Sequence, residues 1–304
     1  MILFCRNTAA TVERAIQSVV SQHSDAIELV VMDGGSTDGT LEILRRYAKY
    51  VAVLSSGPDG GPTPAINEGV RRASGEVIAL LPGDDWLEAG ALAHVVQEFS
   101  ADPELDVLSC GTRYVRIDEQ GVPRTLAQFT DAETLAFKLG RVLRHPLTAG
   151  RFIRRRRYLE LGGHSTECIF GDYDFLVRLC LAKVKSKVRC ELTYTYRAHP
   201  GSTTFAGRPE TIMVMMRENM HMASRFLQRG VDDSGDRRAL LRLHAGSAVR
   251  LFVMKLARGK AVEAFGTFAD AFRVNLVWPL AALAWYSGSI ASKLRHSFAR
   301  RFAP

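Results

Sequence analysis

The chain has 304 residues, 47% hydrophobic and 24% charged, which allows one large α/β domain with an appendage and excludes wholesale disorder. Its five cysteines (Cys5, Cys110, Cys168, Cys180, Cys190) are scattered, odd in number and without a CxxC pair, against a disulfide framework or structural zinc and in keeping with a reducing cytoplasm. The net charge of +8 sits in the last hundred residues, with sixteen Lys and Arg against seven Asp and Glu after residue 204 and near balance before it.

In chain order, Met1–Cys5 is a short apolar run that enters patterned sequence directly, with no secretory signal in front of it. Val12, Ala15, Ile16, Val19 and Val20 then recur at helical spacing. Residues 27–32 form a second apolar run, stopped by Asp33-Gly34-Gly35, and a helix is expected over 41–50. A third strand is expected over 51–54, a helix over 64–73, and a fourth strand over 77–81 ending at Pro82-Gly83-Asp84-Asp85. Strands alternating with helices imply an open, doubly wound, mostly parallel α/β sheet. Ligands in such sheets sit beyond the carboxyl ends of the strands. The polar clusters fall there: Asn7 after the first strand, Asp33 after the second, Pro58-Asp59-Gly60-Gly61 after the third, Asp84-Asp85 after the fourth.

Two adjacent carboxylates after a buried strand repel one another unless a cation is present, and hard oxygen ligands suit Mg²⁺ or Mn²⁺. A bound cation of this kind neutralises charge on a diphosphate leaving group. Asp85 also reads as the N-cap of a turn at Trp86–Ala89. In Asp33–Thr40 the glycines let a flat ring approach the backbone, and Asp38 reads as a turn or cap residue for the following helix.

Arg6–Glu13, Ala15–Val19, Val30–Thr40, Gly57–Gly61, Ala65–Gly69, Ala73–Glu76 and Gly83–Trp86 together resemble family 2 glycosyltransferases, densely over residues 1–95 and more thinly over 143–204. The resemblance implies a GT-A fold and an inverting, single-displacement transfer of one sugar from a nucleotide-diphospho-sugar to an acceptor hydroxyl. It makes Asp33 the contact to the base and Asp84 a ribose or sugar contact, with Arg6, Asn7, Asp59, Gly60 and Asn67 on the donor as well. Asp85 becomes the ligand of Mn²⁺ or Mg²⁺ in a DXD-like motif, and Asp172, in Gly171–Leu179, the general base. Asp174 is structural, and His199, in Tyr196–Ser202, reaches the metal or the diphosphate. Departures from the family pattern are Thr63-Pro64 before Ala65, where an acidic residue is common, and Gly171, where many members carry glutamate. No Gln-x-x-Arg-Trp signature of processive synthases is present.

These readings divide the chain into a catalytic domain, 1–204, and a basic helical region, 205–304. The catalytic domain has a nucleotide-sugar half, 1–100, and an acceptor half, 101–204. Residues 274–292 are nearly uncharged, carry Trp and Tyr, and precede Lys293, Arg295, Arg300 and Arg301, which fits a helix lying on an anionic membrane surface or one packed on the core, with a true span as the third alternative. The expected setting is the cytoplasm, at the inner face of its membrane, with a glycan or lipid-linked acceptor in cell-surface polysaccharide or glycolipid synthesis. No basic stretch interleaves with stacking aromatics, so nucleic acid is not expected. The alternatives are a sugar-nucleotide-binding scaffold without transfer, and a nucleotidyltransferase, whose glycine-rich basic signature is lacking.

Overall fold

In a computed structural model, residues 1–202 and 209–274 are described. The first half alternates as the apolar periods require: β1 (Ile2–Cys5), α1 (Val12–Val20), β2 (Val30–Asp33), α2 (Thr40–Arg46), β3 (Val53–Ser56), α3 (Pro62–Arg72) and β4 (Val77–Pro82). Helix α1 buries Val12, Ala15, Ile16 and Val19, and every residue of β2 is buried, as a sheet covered on both faces demands. The expected helix over 41–50 is shorter, ending at Arg46 and followed by a single 3-10 turn, Ala48–Tyr50. Helix α3 starts earlier than expected. Pro62 and Pro64 therefore lie in its first turn, where missing N–H groups cost no intrahelical bond.

The second half departs from simple alternation. It contains β5 (Trp86–Leu87), α4 (Ala91–Ala101), β6 (Val107–Ile117), β7 (Pro123–Phe129), α5 (Ala132–Leu135), α6 (Leu139–Val142), β8 (Arg151–Arg154), α7 (Arg155–Glu160), α8 (Gly171–Leu181) and β9 (Ser186–Arg197). The strands run β3-β2-β1-β4-β8-β6-β9-β5, with β7 paired to β6. The first four are parallel, β8 is antiparallel to β4 and β6, and β9 is parallel to β6 but antiparallel to β5. Residues 86–87, expected as a helical turn, pair instead with Tyr194 and Thr195, and the following helix takes its N-cap from Gly90. The alternative reading of Asp85 as a helix cap does not hold, since extended backbone follows it. The core between α1, α4 and the sheet includes Leu3, Ile16, Val31, Leu81, Val95, Leu108 and Tyr194.

Two compact units divide the chain, Met1–Ala206 and Gly207–Pro304. The second contains α9 (Pro209–Arg229), α10 (Ser234–Leu256) and α11 (Ala261–Val274), with Met216, Met220, Ala245, Ala248, Leu251 and Ala271 in its core. The buried Lys255 ends α10 by donating to the Glu263 carbonyl at 3.1 Å and the Thr267 hydroxyl at 2.9 Å. No helix among the described residues is long and apolar enough to cross a membrane. Apart from Val274, the uncharged stretch expected to meet a membrane surface lies outside the described residues.

Candidate functional site

The first two strand-end loops are laced together. Asn7, in a left-handed conformation (φ 52°), accepts from the Thr37 N–H at 2.9 Å, and its own N–H donates to the Ser36 hydroxyl at 2.8 Å. The Ala9 N–H donates to Asp38 at 3.0 Å, and Asp38 also accepts from the Thr40 N–H and hydroxyl. Arg6 is exposed beside this lacing. Asp33 is almost fully buried, with its oxygens taking the Ser36 N–H and hydroxyl and, at 2.6 Å, the Ser56 hydroxyl. Two serines thus orient the carboxylate at the end of β2. Asp59 accepts from the Gly61 N–H at 2.8 Å and lies so close to Gly34 that an added Cβ would stand 2.9 Å from its Oδ2. Gly60 and Gly61 have φ of 76° and 115°, a turn that side chains disfavour.

The fourth loop separates its two carboxylates. Asp84 Oδ2 lies 2.7 Å from His199 Nε2, and both side chains are partly exposed. The Gly201 N–H donates to Nδ1 at 3.2 Å, so in this arrangement Nε2 carries the proton and donates to Asp84. Asp85 is 1% exposed. Its Oδ1 accepts from the Arg197 N–H at 2.8 Å and its Oδ2 from the Tyr194 hydroxyl at 2.7 Å. Burial, and then the Asp84 charge, push its carboxyl up to about 8, against those two bonds. Asp85, expected as the metal ligand, is thus an internal brace with both oxygens engaged. Asp84, expected on the sugar, is the member of the pair that meets His199.

Asn67 also departs from expectation. It sits within α3, where its Oδ1 accepts from the Tyr158 hydroxyl at 2.6 Å and the His164 N–H at 3.0 Å, and its Nδ2 donates to the His164 carbonyl at 2.9 Å. It ties α3 to the segment before α8 instead of facing a donor. Asn67→Ala is expected to cost about 2–3 kcal/mol in urea denaturation by leaving those buried groups unpaired. The same change should leave sugar-nucleotide affinity within about twofold. A large loss of affinity at full stability would return Asn67 to the donor site.

Asp172 lies half-buried in the first turn of α8 and accepts from the Tyr173 N–H at 2.8 Å. Its charge reaches Tyr158. Asp174 pairs with Arg178 at 2.8 Å, and Arg178 also donates to the carbonyls of Leu161 and Gly163, so this aspartate pins the loop into α8. His164 packs between Tyr158 and Phe175, where burial, and then the charge of Arg178, push it down to about 3. It is neutral here and serves as packing.

Sequence reasoning missed Tyr158, His164, Tyr194 and Arg197. The signal for Tyr194 was the polar–aromatic alternation over 193–196, a strand period, while Arg197 lay in the segment Tyr196–Ser202 without a role assigned to it.

Among the described residues no three His, Cys, Asp or Glu gather as a metal cluster. Asp84 and His199 offer one oxygen and one nitrogen, which fits a hard or borderline divalent ion that keeps waters and draws its other ligands from phosphates.

Comparison with known proteins agrees with this architecture. The chain is similar to the succinoglycan biosynthesis protein ExoO of Rhizobium meliloti, 26% identical over 98% of this chain and 86% of that one. It also matches the poly-beta-1,6-N-acetyl-D-glucosamine synthase of Staphylococcus epidermidis, 27% identical over 37% of this chain, and spans 28% of that protein's length. Among solved structures, the mannosyltransferase PcManGT of Pyrobaculum calidifontis, in complex with GDP-Man and Mn²⁺, superposes with a TM-score of 0.58 at 19% identity, covering 95% of this chain and 79% of that one. That likeness carries the GT-A fold. The sequence model of Glycosyl transferase family 2 matches residues 1–163, more than half of the chain, and the chain belongs to that family.

Proposed function

We propose that the chain transfers one sugar, with inversion, from a nucleotide-diphospho-sugar to an acceptor hydroxyl in the making of a bacterial cell-surface polysaccharide or glycolipid. The observation that carries this reading is the 2.7 Å meeting of Asp84 and His199, from loops 115 residues apart, at the strand edge where such sheets take ligands. Asp84 and His199 would hold Mn²⁺ or Mg²⁺, with the ring proton displaced. When bound, that ion neutralises charge on the departing nucleoside diphosphate. Asp33, set by its two serines, accepts from the base, and the Asp59–Gly61 turn lies against it. Asn7 and Arg6 border the same loop. Asp172 takes the acceptor proton as the hydroxyl oxygen attacks the anomeric carbon. It lies in the first turn of α8, where the helix dipole favours a negative charge. The division at residues 204–205 into catalytic and basic helical regions, and contact of the latter with an anionic membrane surface, belong to the same proposal. The excess of cations after residue 204 and the succinoglycan relative support it.

The test is hydrolysis of UDP-, GDP- and dTDP-sugars with and without Mn²⁺, on wild type and Asp172→Asn. One donor should be turned over in a metal-dependent way. Asp172→Asn should lower transfer to an acceptor about a hundredfold or more while leaving donor affinity intact. Tight donor binding with no turnover on any acceptor would favour a sugar-nucleotide-binding scaffold.

A further inference from the structure

A second charged constellation borders the edge that carries Asp84, on one face of β5, β9 and β6. The register sets Trp86 beside Thr195, Thr195 beside Arg113, and Arg197 beside Val115. Because side chains alternate across strands, Trp86, Arg113, Thr195 and Arg197 stand on the same face. Helix α1 adds Arg14, whose guanidinium lies 3.3 Å from the centroid of the Trp86 ring. Arg14 and Arg113 lie within reach of the Glu88 charge, and the charge of Arg197 reaches the buried Asp85 carboxyl. Glu88 pairs with Arg113 at 2.7 Å and takes the Thr195 hydroxyl as well. Among the described residues no carboxylate pairs with the side chain of Arg14 or Arg197, and the remaining residues contain no Asp or Glu.

Crowding like charges is unfavourable unless a counter-ion joins them. Burial, and then the charges of Arg113 and Arg197, hold Arg14 below the usual arginine range against the opposing pull of Glu88. Two of the cations are held by their side chains and the third is anchored through its backbone. Arg14 is stacked on an indole, and Arg113 is braced by Glu88 and by Thr195 at 3.3 Å. The backbone N–H of Arg197 is anchored on Asp85. Three guanidinium groups outnumber the carboxylates of Glu88 and Asp85 and leave a positive surplus on this frame. Guanidinium forks match phosphate oxygens in pairs, so the complement of this face is a phosphate or diphosphate.

We propose that Arg14, Arg113 and Arg197 form an anion site that holds a phosphate group carried by the acceptor. Trp86 and Arg197 lie two residues from Asp84 and His199, so a molecule anchored here by its phosphate reaches the edge where transfer takes place. The donor's own diphosphate is accounted for at Asp84 and His199. The role in transfer rests on the glycosyltransferase reading, whereas the affinity for phosphate does not.

The test titrates inorganic pyrophosphate into the full chain by calorimetry with divalent cations chelated, which removes the cation-assisted route at Asp84. Wild type should bind, and the Arg14→Ala/Arg197→Ala double variant should bind at least about tenfold more weakly. Arg14→Ala alone, a change at an exposed side chain, should weaken binding about threefold and serves if the double variant fails to fold. Arg71→Ala, which removes an exposed charge elsewhere, should bind as wild type does. No binding by wild type, or equal binding by Arg14→Ala and Arg71→Ala, overturns the site.

Phosphatidic acid vesicles, set against phosphatidylcholine, separate the sources of the phosphate. Stronger binding by wild type than by the arginine variants assigns a lipid-borne group. Pyrophosphate binding without that difference assigns a soluble one. Sugar-nucleotide hydrolysis by wild type is measured alongside. Its absence with pyrophosphate binding intact removes the transferase reading and leaves the anion site, while hydrolysis without pyrophosphate binding removes the anion site alone.

Discussion

Asp84→Ala is expected to lower donor turnover about a hundred- to a thousandfold, the range for losing one centre of charge stabilisation at a leaving group. Its melting temperature should stay near that of wild type, because Asp84 is partly exposed and, among the described residues, its side chain bonds to His199. Asp85→Asn supplies the contrast. Its carboxyl is buried, pushed up to about 8, and bonded to Tyr194 and Arg197, so a neutral side chain of the same shape fits its surroundings. That variant should keep most of its turnover, with any loss appearing in stability. Steady-state kinetics with and without Mn²⁺, beside thermal melts, separate the two. If Asp85→Asn is the dead variant and Asp84→Ala the active one, the two roles assigned here are reversed.

Gly171→Ala is expected to destabilise by about 3 kcal/mol, at the upper end of what overpacking costs. The first residue of α8 lies so close to the preceding loop that an added Cβ would overlap the Ser165 carbonyl. Backbone, not a flexible side chain, is what stands in the way. Asp172 follows immediately, so shifting Ser165 to make room also shifts the carboxylate assigned as base. Denaturation midpoints should fall together with turnover, and Gly171→Glu should fall further than Gly171→Ala. A fully stable Gly171→Glu would mean that the 165–170 segment adjusts freely. Glycine at this position is thus a fitted feature of the loop, with its reason in packing.

What was legible in the sequence follows the range of the interactions. The β1-to-β4 half came from local periodicity: Val12, Ala15, Ile16 and Val19 lie on one helix face, and β2 is a continuous buried run. Residues that punctuate strand ends lie, as expected, just after β1, β2, β3 and β4. The roles of Asp84 and Asp85 were not legible, since two adjacent carboxylates have the same chemistry until distant groups choose between them. His199 chooses one, and Tyr194 with Arg197 chooses the other. Asn67 misled for the same reason, because its partners lie 91 and 97 residues further along. The two-residue strand Trp86–Leu87 is too short to show a period of its own and exists because β9 pairs with it.

That last dependence sets an order of assembly. During synthesis the ribosome delivers the nucleotide-facing loops early, yet the groups that fix Asp84 and Asp85 arrive only with residues 194–199. A nascent chain ending before β9 holds the parallel strands but leaves an unbraced acidic pair at their edge. Closure spans more than a hundred residues and is slow for the reason that all distant contacts are. The geometry of Asp84 and Asp85 is thus complete only once β9 and the segment after it are in place.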